Sequence, residues 1–172
     1  MDDLESAVTI FTDGACSHNP GPGGWAALLI LYDTARFISG YESYTTNNRM
    51  ELFAAIAALK TLKRSTEVKV HTDSRYLRDG IERWIHNWKR NNWKNASGKP
   101  VLNQDLWIDL SELVSPHRVQ WIWVQGHSTN RFNNFVDLLA RRAISRKSGV
   151  DVRLTVREFE GILDDRQIPW EY

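Results

Sequence analysis

"TTNNRMELFAAIAALKTLKRSTEVKVHTD", residues 45–73, joins two patterns of different period. Residues 48–63 contain no Gly or Pro, are rich in Ala and Leu, and place Leu52, Ile56, Leu59 and Lys63 at helical spacing with a basic C-terminal end. Directly afterwards Val68, Lys69, Val70, His71 and Thr72 alternate apolar and polar, the period of a strand. Upstream, "VTIFTDGACSHNPGPGGWAALLI", residues 8–30, opens on the β-like run 8–12. A strand, helix, strand order predicts a right-handed crossover, which sets 68–72 parallel to 8–12. Two further β-rich runs lie between, 25–32 after the Gly-Pro cluster and 36–44. Gaps this short favour antiparallel neighbours, so the first three strands are expected to form a meander.

The remainder of the chain follows the same logic. Helical patterns run over about 76–88 and 103–113, broken across 91–100. Residues 118–124, "RVQWIWV", read as a fifth strand, and after the polar stretch 126–134 a last helix turns Val136, Leu139, Ala140, Ala143 and Ile144 inward. The expected fold is α/β, with a five-stranded mixed sheet, strands one to three antiparallel and four and five parallel, flanked by helices. Residues 1–148 are expected to form one catalytic domain. Val150, Val152, Leu154 and Val156 alternate with polar residues, so 149–172 is expected to be a C-terminal extension, an edge strand or docking arm and not an independent domain.

Composition agrees with one ordinary core: 172 residues, 42% hydrophobic and 25% charged. No apolar run reaches the roughly 18 residues of a membrane span, and the acidic start, Met1-Asp2-Asp3-Leu4-Glu5, does not suit a targeting signal. Cys16 is the single cysteine, which excludes an internal disulfide. A cytoplasmic monomer without membrane contact is expected. The net charge of +1 gives no global sign of a polyanionic partner, so charge has to be read locally.

Asp13 and Asp73 follow the first and fourth strands, and sites in α/β sheets gather at the carboxyl ends of strands. If those strands are adjacent and parallel, the two carboxylates approach within a few ångströms and repel unless a proton or cation lies between them. Glu51 is expected in the first turn of the connecting helix, and Asp137 near the start of the last. Taken singly, each has a structural explanation as a turn former, helix cap or first-turn acid. Together they form an uncompensated negative cluster, which favours a metal site. An all-oxygen donor set suits Mg²⁺ or Mn²⁺.

"FTDGACSHNPGPGGWA", "TTNNRMELFAAIAAL", "HTDSRYL", "WIHNWKRNNWK" and "WVQGHSTNRFNNFVDLLAR" stand in the order and rough spacing of type I ribonuclease H, which the chain resembles over most of residues 8–146. The resemblance implies hydrolysis of the RNA strand of RNA–DNA hybrids by two Mg²⁺ ions, with Mn²⁺ as a substitute, leaving 5′-phosphate and 3′-hydroxyl ends. It implies that Asp13, Glu51, Asp73 and Asp137 are catalytic metal ligands. Asp13 would touch both ions, Asp137 the nucleophile-side ion, and Glu51 and Asp73 the leaving-group side. His127 would be a catalytic histidine on a mobile loop, moving a proton or aiding product release. Cys16 is not proposed as a nucleophile.

Residues 84–99 carry Lys89, Arg90, Lys94 and Lys99 with no acid, interleaved with Trp84, Trp88 and Trp93. Basic and aromatic groups together contact phosphates and pack on sugars. The structural alternative makes Trp84 and Trp88 one helix's core face and the lysines a solvated surface. Both hold at once if the charges bind and Trp84 packs, with Trp88 and Trp93 left open. The stretch resembles the basic protrusion with which family members grip the DNA strand. Thr46 and Asn48 are short polar groups near the acids, and by resemblance Asn19, Asn47 and Arg75 match positions along the RNA strand. There the 2′-hydroxyl distinguishes RNA from DNA, a task the backbone of Cys16 to Asn19 would share.

Four positions depart from the family pattern. His18 and Thr129 stand where glycine is usual, Arg75 where glutamine is frequent, and Asn134 where Glu is often found. They bear on loop mobility, minor-groove reading and metal affinity, and none removes a ligand. Two other classes compete with the nuclease: a non-catalytic hybrid-binding domain, against which the four intact acids count, and a DNA nuclease of the same broad fold, against which the basic Trp-rich insert counts.

Overall fold

The computed structural model describes residues 7–126 and 129–164. Its sheet is organised around β1 (Val8–Cys16), which pairs in parallel with β4 (Glu67–Thr72) over Val8 to Phe11 and antiparallel with β2 (Gly21–Leu31) as far as Cys16 opposite Gly23. β3 (Thr34–Thr45) completes the meander, and β5 (Arg118–Trp123) lies parallel to β4. The crossover therefore has the direction that the strand, helix, strand order predicts.

The sheet has six strands where five were expected, in the order β5-β4-β1-β2-β3-β6. β6 (Asp151–Thr155) pairs antiparallel with β3 from Thr34 opposite Thr155 to Ile38 opposite Asp151. Asp13 also differs from expectation. It does not terminate its strand but lies two residues past the last parallel pair, still opposite Ala26 of β2. The Gly-Pro cluster differs likewise: Gly21 to Gly24 are strand, and the reversal is confined to residues 17–20. The glycine is needed because α5 (Arg131–Arg146) lies directly on β2, and a Cβ at Gly24 would overlap the Ala140 carbonyl.

Alternation along the strands divides the core between the two faces. Ile10, Leu29, Val68 and Val70 face α1 (Asn47–Lys60) and α4 (Gln104–Val114), packing with Leu52, Ile56, Trp107 and Leu110. Phe11, Leu28 and Phe37 face α5 and α6 (Val156–Asp164), packing with Phe135, Leu139 and Phe159. α1 ends at Lys60, a turn short of residue 63, because the Thr61 hydroxyl and N–H both bond the Ala58 carbonyl.

The expected helix over 76–88 is three pieces: α2 (Arg75–Asp79), a π-helical stretch over Gly80–Trp84, and α3 (Ile85–Arg90). Among the described residues no helix is long and apolar enough to cross a membrane.

Candidate active site

Asp13, Glu51 and Asp73 arrive from β1, α1 and the end of β4 with one carboxylate oxygen each, all within 4.8 Å of one another. Two local features bring α1 to this point. The Thr46 hydroxyl caps the helix by accepting from the Arg49 N–H at 3.2 Å. Gly14 then lets the helix settle on β1, since a Cβ there would overlap the backbone of Met50 and Glu51. Glu51 consequently lies one turn inside α1 and not in its first turn, which contains no acid. Asp137 is displaced in the same way: α5 begins at Arg131, earlier than the polar stretch 126–134 suggested, so Asp137 falls in its second turn. It lines the same cavity, of about 170 Å³, with Asp13, Gly14, Asn47, Glu51, Asp73, Asn133 and Asn134.

The electrostatics are those of acids crowded together. Burial, followed by the charges of Asp73 and Asp137, pushes the Asp13 carboxyl up to about 8. Burial raises Glu51 well above the usual carboxylate range, reinforced by Asp13 and Asp73, and Asp73 is raised by burial and then by Asp137. Hydrogen bonds act the other way: Asp13 is lowered by Glu51 and by the Gly14 N–H, which donates to its Oδ1 at 2.9 Å, and Asp73 by Asp13 and by the Asn133 amide. Asp137 Oδ2 accepts from Arg141 at 2.9 Å, one turn along α5 and partly exposed. Glu51 Oε2 is buried with no hydrogen-bond partner. An orphaned carboxylate oxygen aimed into an all-oxygen acidic cavity fits a divalent cation of the Mg²⁺ or Mn²⁺ type.

The other sequence-predicted residues sit around this cavity to differing degrees. Asn19 Oδ1 accepts from the Asn47 N–H at 3.2 Å, which ties the β1–β2 turn to the start of α1, and Asn47 itself lines the cavity. Cys16 is half-buried, its thiol directed at the His18 carbonyl at 2.8 Å, and Asn48 is half-buried in α1 without lining the cavity. Arg75 is exposed, and its guanidinium lies 5.6 Å from the Trp123 ring centroid while that of Arg78 lies 5.4 Å from it. His127 lies outside the described residues.

Lys89, Arg90, Lys94 and Lys99 are exposed along α3 and the turn after it, which closes with a bridge between Lys94 and Pro100. Trp84 packs with its ring 5.8 Å from that of Tyr76 and 5.9 Å from that of Trp88. Trp88 and Trp93 lie against the core, Trp88 with its ring 5.3 Å from that of Trp107, whereas Trp84 remains 37% exposed. Trp84 and Trp88, four residues apart, meet on one helix face, with Trp84 the more exposed of the two.

Asn133 is the residue sequence reasoning missed. It is 2% exposed and bonded to Asp73. Its spacing of four from Asp137 on an amphipathic helix was the available signal, since residues i and i+4 share a face.

Comparison with known proteins places this geometry. The RNase H family model matches residues 5–145. The ribonuclease H of Nitrosococcus oceani is 56% identical over 142 residues, covering 83% of this chain and 97% of the relative. Among solved structures, LC9-RNase H1, a type 1 RNase H with the type 2 active-site motif, superposes with a TM-score of 0.81 at 30% identity, covering 94% of this chain and 83% of that one. LC11-RNase H1, solved in complex with an RNA/DNA hybrid, shares the fold with a TM-score of 0.58 at 23% identity over 81% of this chain and 98% of that one. Matched across a span that holds all four carboxylates, this chain belongs to the RNase H family and is a nuclease, a hydrolase of phosphodiester bonds.

Proposed function

We propose that the protein is an endonuclease that hydrolyses the RNA strand of RNA–DNA hybrids. The observation that carries this reading is the cavity in which Asp13, Glu51, Asp73 and Asp137 meet with Glu51 Oε2 unpartnered. These four residues would hold two Mg²⁺ ions, with Mn²⁺ as a substitute. Such ions supply an activated water and neutralise charge on the leaving oxygen in phosphodiester hydrolysis.

The protein's own part is positional. Asp13, the most central of the acids, is fixed by the Gly14 N–H, and Asp73 is oriented by Asn133. His127, four residues past the end of β5 in sequence, is assigned the role of moving a proton to or from the reacting oxygens. Water attacks phosphorus, the bond to the 3′-oxygen breaks, and the products carry a 5′-phosphate and a 3′-hydroxyl.

Substrate selection is assigned to two surfaces. Cys16, Asn19, Thr46, Asn47, Asn48 and Arg75 are assigned to the RNA strand, Asn47 from the cavity lining itself, with short polar groups and backbone meeting 2′-hydroxyls. Lys89, Arg90, Lys94 and Lys99, exposed beside Trp84, grip the DNA strand, while Trp88 and Trp93 hold the protrusion to the core. Contacts of this kind read backbone and shape, so sequence preference is weak. The hybrid bound to a relative of the same fold supports this choice. The protein is proposed to act in the cytoplasm as a monomer, in keeping with its single cysteine.

The deciding experiment incubates the protein with labelled RNA–DNA hybrid, RNA duplex, DNA duplex and single-stranded RNA, with Mg²⁺, Mn²⁺ or chelator. Cleavage confined to the hybrid, dependent on metal and leaving RNA 3′-ends that a polymerase extends, is expected. Binding without cleavage in either metal, or comparable cutting of the DNA duplex, overturns it.

A further inference from the structure

The segment after α5 lies beyond the span that the family model matches, and no catalytic role given above involves it. It is nevertheless joined to the start of α5 by a continuous series of contacts. β6 is anchored to β3 by its five register pairs and by Arg36, which donates to both Asp151 carboxylate oxygens at 2.9 and 2.8 Å. α6 then starts on a reciprocal cap: the Thr155 hydroxyl accepts from the Glu158 N–H at 3.1 Å, and Glu158 accepts from the Thr155 N–H at 3.2 Å. The segment is thus specified by its own residues.

α6 directs its buried side chain at the start of α5. Phe159 is fully buried, with ring centroids 6.1 Å from Phe132 and 5.0 Å from Phe135. At the far end of α6, Asp164 accepts from Arg131, the first residue of α5, at 2.7 Å. Phe132 passes the contact on to Phe11 at 5.3 Å, and Phe11 stacks on His71 at 4.3 Å with the rings 12° from parallel. Phe11 and His71 each stand two residues before a cavity acid, Asp13 and Asp73.

The other face of those same α5 turns supplies the cavity: Asn133, bonded to Asp73, is adjacent to Phe132 in sequence, and Asp137 follows one turn later. A helix start is the part of a helix with the fewest internal hydrogen bonds and is prone to local opening. Here it is held from the side opposite the acids.

We propose that β6 and α6 form a brace for the first two turns of α5, in which Phe159 and Asp164 act as positioning residues that hold Asn133 and Asp137 against Asp13 and Asp73. The kinetic part of this proposal rests on the hydrolytic reading above.

The test uses the full chain with Phe159→Ala and, as a control of similar burial on the opposite face of the sheet, Leu110→Ala. Amide exchange over residues 131–137, Mn²⁺ affinity by calorimetry, and kcat and KM on hybrid are measured where each variant is folded. Phe159→Ala is expected to speed exchange over 131–137 about tenfold beyond its global change, weaken Mn²⁺ binding about fivefold, and lower kcat about tenfold with KM within twofold. Leu110→Ala is expected to leave all three near wild type. Asp164→Ala, at the surface, folds regardless and is expected to lower kcat two- to threefold with the same pattern.

Unchanged exchange over 131–137 in Phe159→Ala, or in Asp164→Ala should Phe159→Ala not fold, overturns the brace, as do equal effects in Leu110→Ala. If wild-type protein cleaves no hybrid, the hydrolytic reading fails by itself, and the exchange and Mn²⁺ measurements still decide the brace.

Discussion

Asp13 concentrates the conflict on which the site depends. It is 4% exposed, faces three other acids, and receives one backbone N–H at 2.9 Å. Asp13→Asn keeps the shape, removes a charge and removes a ligand. Cleavage of hybrid by this variant is expected to fall by at least about a thousandfold in single-turnover assays, while gel-shift affinity for hybrid stays within a few fold. Activity near wild type would remove Asp13 from the centre of the site. Without metal the same variant is expected to unfold at higher temperature than wild type at pH 8, because a buried acid that is partly ionised there has been replaced by a neutral amide. Calorimetric scans with chelator check this.

At the level of elements, two contacts carry separable functions. α1 reaches β1 only because residue 14 has no side chain, and Gly14→Ala forces the helix carrying Glu51 away from the strand carrying Asp13. It is expected to cost about 1–3 kcal/mol in denaturant unfolding, in the range of overpacked cores, and to lower kcat more than KM. The protrusion is independent of the acids. Replacing Lys89, Arg90 and Lys94 by Ala is expected to weaken hybrid binding and reduce the slope of log K against log[salt] by about 2–3, since each phosphate contact releases roughly one counterion. An unchanged slope would return these side chains to an ordinary solvated surface.

For the whole molecule, the acid cluster links stability to pH and to divalent cations. Asp13 is held near 8 and Glu51 and Asp73 are also raised, so between their unfolded values near 4 and these folded values the native state binds more protons than the unfolded chain. Stability of the metal-free protein is therefore expected to fall as pH rises from about 4 to about 8. This is opposite in sign to the behaviour of carboxylates paired with cations. Mg²⁺ competes with those protons, so it is expected to raise Tm more at pH 8 than at pH 5, each 1 kcal/mol appearing as about 2–4 °C. Equal Mg²⁺ shifts at both pH values would mean that the ion binds elsewhere.

Read from sequence alone, local periodicity and spacing determined the meander, the parallel crossover and the acids that meet in one cavity, because each depends on short-range pattern and chain direction. Tertiary structure decided what depends on which backbone lies against which. Asp13 sits within β1 and not at its end because β2 continues to pair beyond the point where β4 stops. The Gly-Pro segment is strand because β1 and β3 pair with it on either side, and Gly24 leaves the backbone bare where α5 packs. Trp84 packs at the margin of the core on Tyr76 and Trp88, which themselves pack on Trp107 of a different helix. Asn133 enters the site, and β6 and α6 join the sheet and its second core, through contacts between residues far apart in sequence, such as Phe159 with Phe37 and Asp151 with Arg36. Pattern within a segment shows which face a residue takes, whereas the neighbour on that face is set only when the whole chain packs.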